Sequence, residues 1–211
     1  MLRRFLTLAA MLAASPGQAL DCGKLADGHS PLSGALTVKN GKTGSTERFG
    51  VGIERGAHTL FKMRSSAAGT PEIINEFDRG VLIATSTLSA APAMKYEVQP
   101  VDGDMWSLAP GAASRYRKTI TLGGKPYGVE TTTQTIGAHE TRSLFGCDVE
   151  IVHVHRESDT KTQNQSVSGY RAVVDADYAP ALGVDVHFVN NFHSPTLELR
   201  TESTLENVST N

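Results

Sequence analysis

Between Gly34 and Glu206 Gly, Thr and Val recur, apolar and polar positions alternate in segments such as 116–122 and 185–193, and turn residues interrupt the pattern every eight to fifteen positions. A period of two places alternate side chains on opposite faces of a strand, whereas no window carries the 3.6-residue period of an amphipathic helix. The pattern predicts an all-β chain with strands near 34–38, 46–53, 59–65, 72–77, 81–88, 95–101, 105–109, 114–122, 128–136, 146–156, 167–177, 183–192 and 196–206. Gly123-Gly124-Lys125-Pro126 predicts a tight reversal between two strands, and Asn40-Gly41 predicts a two-residue turn that needs positive φ. From Asp185 to His193 the alternation puts Val186, Phe188 and Phe192 on one face and Asp185, His187, Asn191 and His193 on the other. The expected fold is a single antiparallel, strongly curved sheet or half-closed barrel. Residues 41–44 and 65–70 read as loop tips.

The N-terminus is of another kind. Arg3 and Arg4 precede an apolar run from Phe5 to Ala14, and Ser15-Pro16-Gly17 breaks that run before Gln18-Ala19. This is the pattern of a cleavable signal peptide over residues 1–19, leaving one β-rich domain over 20–211. About ten apolar residues are too few to span roughly 30 Å of hydrocarbon, so no transmembrane segment is expected after removal of the signal. The expected location is the bacterial periplasm. Loss of the two arginines takes the formal net charge from -2 to about -4. A lipid anchor on Cys22 is disfavoured because charged Asp21 stands where lipoprotein processing needs a small residue.

Cys22 and Cys147 are the two thiols of the chain. An even count in an exported protein reads as a disulfide, and here one pairing exists. It would close a loop of about 125 residues, worth roughly 4–5 kcal/mol in the chain-entropy description. Composition adds an exclusion: 20 basic residues against 22 acidic ones give none of the clustered positive charge that binds nucleic acid.

Chemistry has few local signals. Nucleophile elbows, phosphate-cradling glycine loops and dinucleotide fingerprints do not occur, and no residue is assigned as catalytic. The most pointed group is His153-Val154-His155-Arg156-Glu157-Ser158-Asp159, in which a strand sets His153, His155, Glu157 and Asp159 on one face. With His187 from the segment 180–187 this faintly resembles the two metal motifs of cupins and implies a metal-binding protein or metalloenzyme on His153, His155 and His187. The opposing interpretation is a solvated strand face that needs no ligand. Arg115, Arg117 and Lys118 read as a charged edge that blocks strand addition, or as a site for phosphate or lipid head groups. Asn164-Gln165-Ser166 and Asn207-Val208-Ser209 match the glycosylation sequon.

The segment Phe145-Gly146-Cys147-Asp148-Val149-Glu150-Ile151, a polar hairpin, and Tyr170 to Val186 with its Tyr-x-Pro-x-Leu-Gly-x-x-Val step complete the picture. Residues 114–205 resemble periplasmic lipoprotein carriers of the LolA/LolB type. The resemblance implies a non-enzymatic binding or cell-envelope maintenance role, with no cofactor and with a lipid, a lipoprotein or an envelope protein as partner. A concave sheet of about ten strands has room for one apolar ligand. Its lining is expected from Trp106, Leu108, Tyr116, Ile120, Leu122, Val186, Phe188 and Phe192, all of which serve equally well as plain core.

Overall fold

The computed structural model describes residues 20–65, 71–87, 92–163 and 169–210. The expected signal peptide, the tip at 66–70, the sequon at 164–166 and the strand ends at 88 and 167–168 lie outside the described residues. The rest forms one helix, α1 (Cys22–Asp27), and twelve strands. These are β1 (Leu32–Asn40), β2 (Thr46–Arg55), β3 (Thr59–Ser65), β4 (Ile73–Asp78), β5 (Val81–Thr87), β6 (Met94–Asp102), β7 (Ala113–Leu122), β8 (Lys125–Leu144), β9 (Cys147–Thr162), β10 (Tyr170–Ala179), β11 (Val184–Ser194) and β12 (Leu197–Thr210).

Each strand pairs antiparallel with the next in chain order, and β12 returns to pair with β1 from Leu32↔Thr210 to Asn40↔Thr201. The antiparallel all-β expectation holds, but the barrel is closed rather than half-closed. Closure gives the first and last strands the hydrogen-bond partners that an open sheet leaves unpaired. The charged-edge interpretation of Arg115 and Arg117 therefore fails, because β7 lies between β6 and β8.

Local corrections have local causes. The segment 105–109 is a loop: Asp104 Oδ1 accepts from Trp106 N (2.9 Å), and Ser107 N donates to the Asp104 carbonyl (3.1 Å), bending the chain out of strand geometry. The Asn40-Gly41 reversal is longer than two residues. Asn40 Oδ1 accepts from Lys42 N and Thr43 N, and the positive φ falls on Gly44 (70°). The diglycine turn is as expected, with φ of 57° and 78° at Gly123 and Gly124. The helix has only six residues, too few for an apolar period; Asp21 caps its start and Gly28 (φ 71°) ends it.

One end of the barrel, the floor, is packed solid. Leu20 and Leu25 join Leu32, Ile53, Ile151, Leu182 and Val208 in the main core cluster. The Cys22–Cys147 disulfide ties α1 to the start of β9, as expected. Arg55, whose side chain is 5% exposed, donates to the carbonyls of Lys24, Leu25, Ser30 and Ala181. Two register shifts, at Ile136/His139 and Asp177/Tyr178, accompany burial of consecutive residues Ile151–Val152 and Tyr178–Ala179. There the sheet is covered on both faces, and Val152 and Tyr178 join a smaller cluster with Ile136, Val154, Leu108 and Ala112.

Candidate functional site

Away from the floor, the register stacks inward-facing residues in rows. Val98, Lys118, Glu130, Thr160 and Tyr170 form one row, and Tyr116, Thr132, Ser158, Ala172, Phe192 and Leu199 the next. Gln134, Arg156, Val174, Asn190 and Thr201 make a third, with Ile136, Val154, Ala176, Phe188 and Ser203 below it. The interior is thus aromatic and polar in its upper part and aliphatic near the floor.

Two charge pairs sit among these rows. Lys118 Nζ lies 2.9 Å from Glu130 Oε1, with side chains 11% and 13% exposed, and the ammonium is 5.6 Å and 5.7 Å from the ring centres of Tyr96 and Tyr116. Thr160 Oγ1 donates to Glu130 Oε2 (3.3 Å). Arg156 Nη1 donates to Asp185 Oδ2 (3.0 Å), and its Nε donates to Gln134 Oε1 (3.2 Å). Buried charges of this kind persist only when paired and hydrogen-bonded.

Two acceptors in this interior have no such partner. Asp185 Oδ1 and Asn190 Oδ1 are buried and accept no hydrogen bond among the described residues. Above them the wall is aromatic: the rings of Tyr170 and Phe192 lie 5.0 Å apart. Burial pushes the Tyr96 hydroxyl up to about 12 and raises that of Tyr170, so both remain neutral donors at any physiological pH. Tyr170, Ala172, Val174, Phe188, Asn190 and Phe192 are all half-buried although they face inward, in contrast to fully buried Ile53, Ile151 and Leu182. The end opposite the floor is a part-open mouth.

The eight lining candidates divide accordingly. Tyr116, Ile120 and Val186 are buried, and Leu122, Phe188 and Phe192 are half-buried. Trp106 and Leu108 belong instead to the loop after β6: the Arg79 guanidinium stacks 3.8 Å from the Trp106 ring centre, and Leu108 packs on the small floor cluster. The sequence reading missed Tyr96, Glu130, Tyr170 and Asn190. It also grouped Lys118 with Arg115 and Arg117, although its even position places it with Tyr116 and Ile120 on the inner face.

The three histidines offered as metal ligands lie on the outer wall. His153 Nδ1 donates to Asp177 Oδ1 (2.7 Å), His155 Nδ1 to Asp175 Oδ1 (2.7 Å), and His187 Nε2 faces Glu202 Oε1 at 3.3 Å. Each imidazole meets a carboxylate across the sheet, and no group of three or more His, Cys, Asp or Glu is placed to hold a metal ion among the described residues. The shared face of His153, His155 and Glu157 is as expected; convergence with His187 on one ion is not found.

Many outward positions of the strands carry charge, among them Lys62, Glu97, Arg117, Glu157, Arg171 and Glu202, with single apolar residues such as Val129, Val173 and Val189 between them. A barrel embedded in lipid carries an apolar band in this place.

No family model matches the chain, and no curated protein matches it by sequence. Among solved structures, it aligns with the crystal structure of YmcC, a hypothetical lipoprotein of Escherichia coli, at a TM-score of 0.41 and 12% identity over 87% of each chain. That likeness is too distant to bear on function. The Tyr178–Val186 step does join two antiparallel strands, β10 and β11, as the carrier resemblance implied.

Proposed function

We propose that this protein is an exported, non-catalytic binding barrel of the bacterial cell envelope whose interior takes an amphiphile through the open mouth. The apolar body lies along Phe188, Phe192, Tyr170 and Leu122. A hydrogen-bond-donating head, a hydroxyl or an ammonium, reaches Asp185 Oδ1 or Asn190 Oδ1. The observation that carries this reading is the pair of buried acceptors without partners beneath half-exposed aromatic rings. A buried acceptor left unpaired costs about 1–3 kcal/mol, which a ligand donor recovers on binding. The disulfide supports an oxidising compartment.

The test is titration with a fluorescent lysophosphatidylethanolamine and, as comparison, a fatty acid bearing the same fluorophore. Saturable binding of the first at one equivalent is expected, weakened about tenfold by Asn190→Leu and by Phe192→Ala. Absence of saturable binding by either probe, with no lipid extracted from protein purified from the periplasm, overturns the reading.

A further inference from the structure

The outer wall carries a second feature that the interior does not explain. Lys42, Lys95, Arg117, Lys125 and Lys161 are exposed, lie at or towards the mouth, and enter none of the ion pairs among the described residues. On β7–β10 a groove of about 910 Å³ gathers Arg115, Arg117, Lys161 and Arg171 beside Val129 and Tyr170, with Asp159 as its acid. Arg171 is engaged by Glu157, while Arg115, Arg117 and Lys161 enter no ion pair among the described residues. The opposite end is richer in acid: Asp21, Asp27, Asp78, Asp102, Asp104 and Asp148 lie in and beside the floor turns, against Lys24, Arg55 and Arg79 there. A chain of formal net charge -2 is therefore polarised along its barrel axis.

Unpaired surface cations gathered at one end attract an anionic plane, and the acidic floor is repelled by it, so the field orients the molecule as well as drawing it in. We infer that the protein docks mouth-first on a membrane surface rich in anionic phospholipid, through Arg117, Lys125 and Lys161. Phosphate head groups accept from the forked Arg117 guanidinium, while the outward Val129 side chain meets the glycerol region. This contact is independent of what the interior holds, so its failure leaves the binding-cup reading standing, and the reverse is equally true.

The experiment is flotation of the mature, disulfide-bonded protein with vesicles of phosphatidylethanolamine containing one-third phosphatidylglycerol, against vesicles of phosphatidylcholine. Binding to the anionic vesicles alone is expected, with release near 1 M salt, where the screening length falls to roughly 3 Å. Each cation near such a surface contributes about fivefold in affinity, so the triple charge reversal R117E/K125E/K161E loses at least a hundredfold. These side chains enter no ion pair among the described residues, so the variant keeps its circular dichroism spectrum; Asp148→Asn at the floor keeps vesicle binding. Equal flotation with phosphatidylcholine, or a reversal variant that floats like its parent, overturns the inference. Retention on an anionic polysaccharide matrix without vesicle binding overturns it too, in favour of a soluble polyanion.

Discussion

Arg55 Nη1 donates to the main-chain carbonyl of Leu25 at 2.6 Å, joining the end of β2 to the middle of α1. The same guanidinium reaches Lys24, Ser30 and Ala181, so one buried cation organises the helix, the segment after it and the β10–β11 turn. Desolvation lowers its pKa, while Asp27 at 3.7 Å opposes that shift. Arg55→Ala strands several carbonyls at once and is expected to cost about 2–4 kcal/mol, with the loss read as a lower midpoint in urea. A variant as stable as the parent would show that water satisfies these carbonyls without the arginine.

The disulfide and Arg55 hold the same helix, so their effects are coupled. Replacing Cys22 and Cys147 with Ala opens a loop of sequence separation 125 and is expected to cost up to about 4–5 kcal/mol. In a double-mutant cycle with Arg55→Ala, the combined loss should fall short of the sum, because a helix already detached has nothing further to lose. Strict additivity would mean that the two tethers act on separate parts of the floor.

Lys118 and Glu130 test the interior. Removing one partner, as in Glu130→Gln or Lys118→Ala, leaves a buried charge uncompensated and is expected to cost about 3–5 kcal/mol. The double replacement Lys118→Met with Glu130→Leu should recover most of that loss, because an apolar pair of similar volume carries no desolvation penalty. Chemical denaturation of the three variants gives the answer directly.

His139 gives the pH dependence. Its Nδ1 donates to Glu150 Oε1 (2.8 Å), and its Nε2 donates to the Leu108 carbonyl, so both nitrogens carry protons and the ring is an imidazolium. The Glu150 hydrogen bond and then the Leu108 carbonyl raise its pKa. A raised pKa adds stability that is fully present below the unfolded value near 6.5 and is lost as pH climbs through the folded value. The melting temperature of the parent should therefore exceed that of His139→Gln at pH 5.5, with the gap closing by pH 8. His155, raised mainly by Asp175, adds to the same trend. A gap that widens with pH would reverse the protonation state assigned to the ring.

Among the described residues the barrel's pairing is thinnest between β5 and β6, where the register holds through Ala84↔Lys95 and Thr85↔Met94. By contrast, β8 and β9 pair from Gly128↔Thr162 to Leu144↔Cys147. Few ladder bonds mean a low local opening free energy. Amides of Ala84 and Thr85 should exchange with deuterium sooner than those of Thr132 and Val154, and uniform protection around the barrel would contradict this.

Alternation made the strands legible one at a time, since side-chain direction within a strand follows from its own geometry. It placed Val186, Phe188 and Phe192 together, and it contained the parity that puts Lys118 inside, although Arg115, Arg117 and Lys118 read by composition as one charged cluster. The single cysteine pairing was likewise readable from count and context. Closure was not: Ser33 and Ser209, 3.3 Å apart through their hydroxyls, are separated by 176 residues, and no local period records which distant strand completes a ladder. Nor could sequence tell that His153, His155 and His187 face solvent beside carboxylates, or that Asp185 Oδ1 and Asn190 Oδ1 are buried acceptors without a partner among the described residues. Those facts arise when the twelve strands close on one another, because burial and hydrogen-bond partnership belong to pairs of segments, whereas periodicity belongs to one.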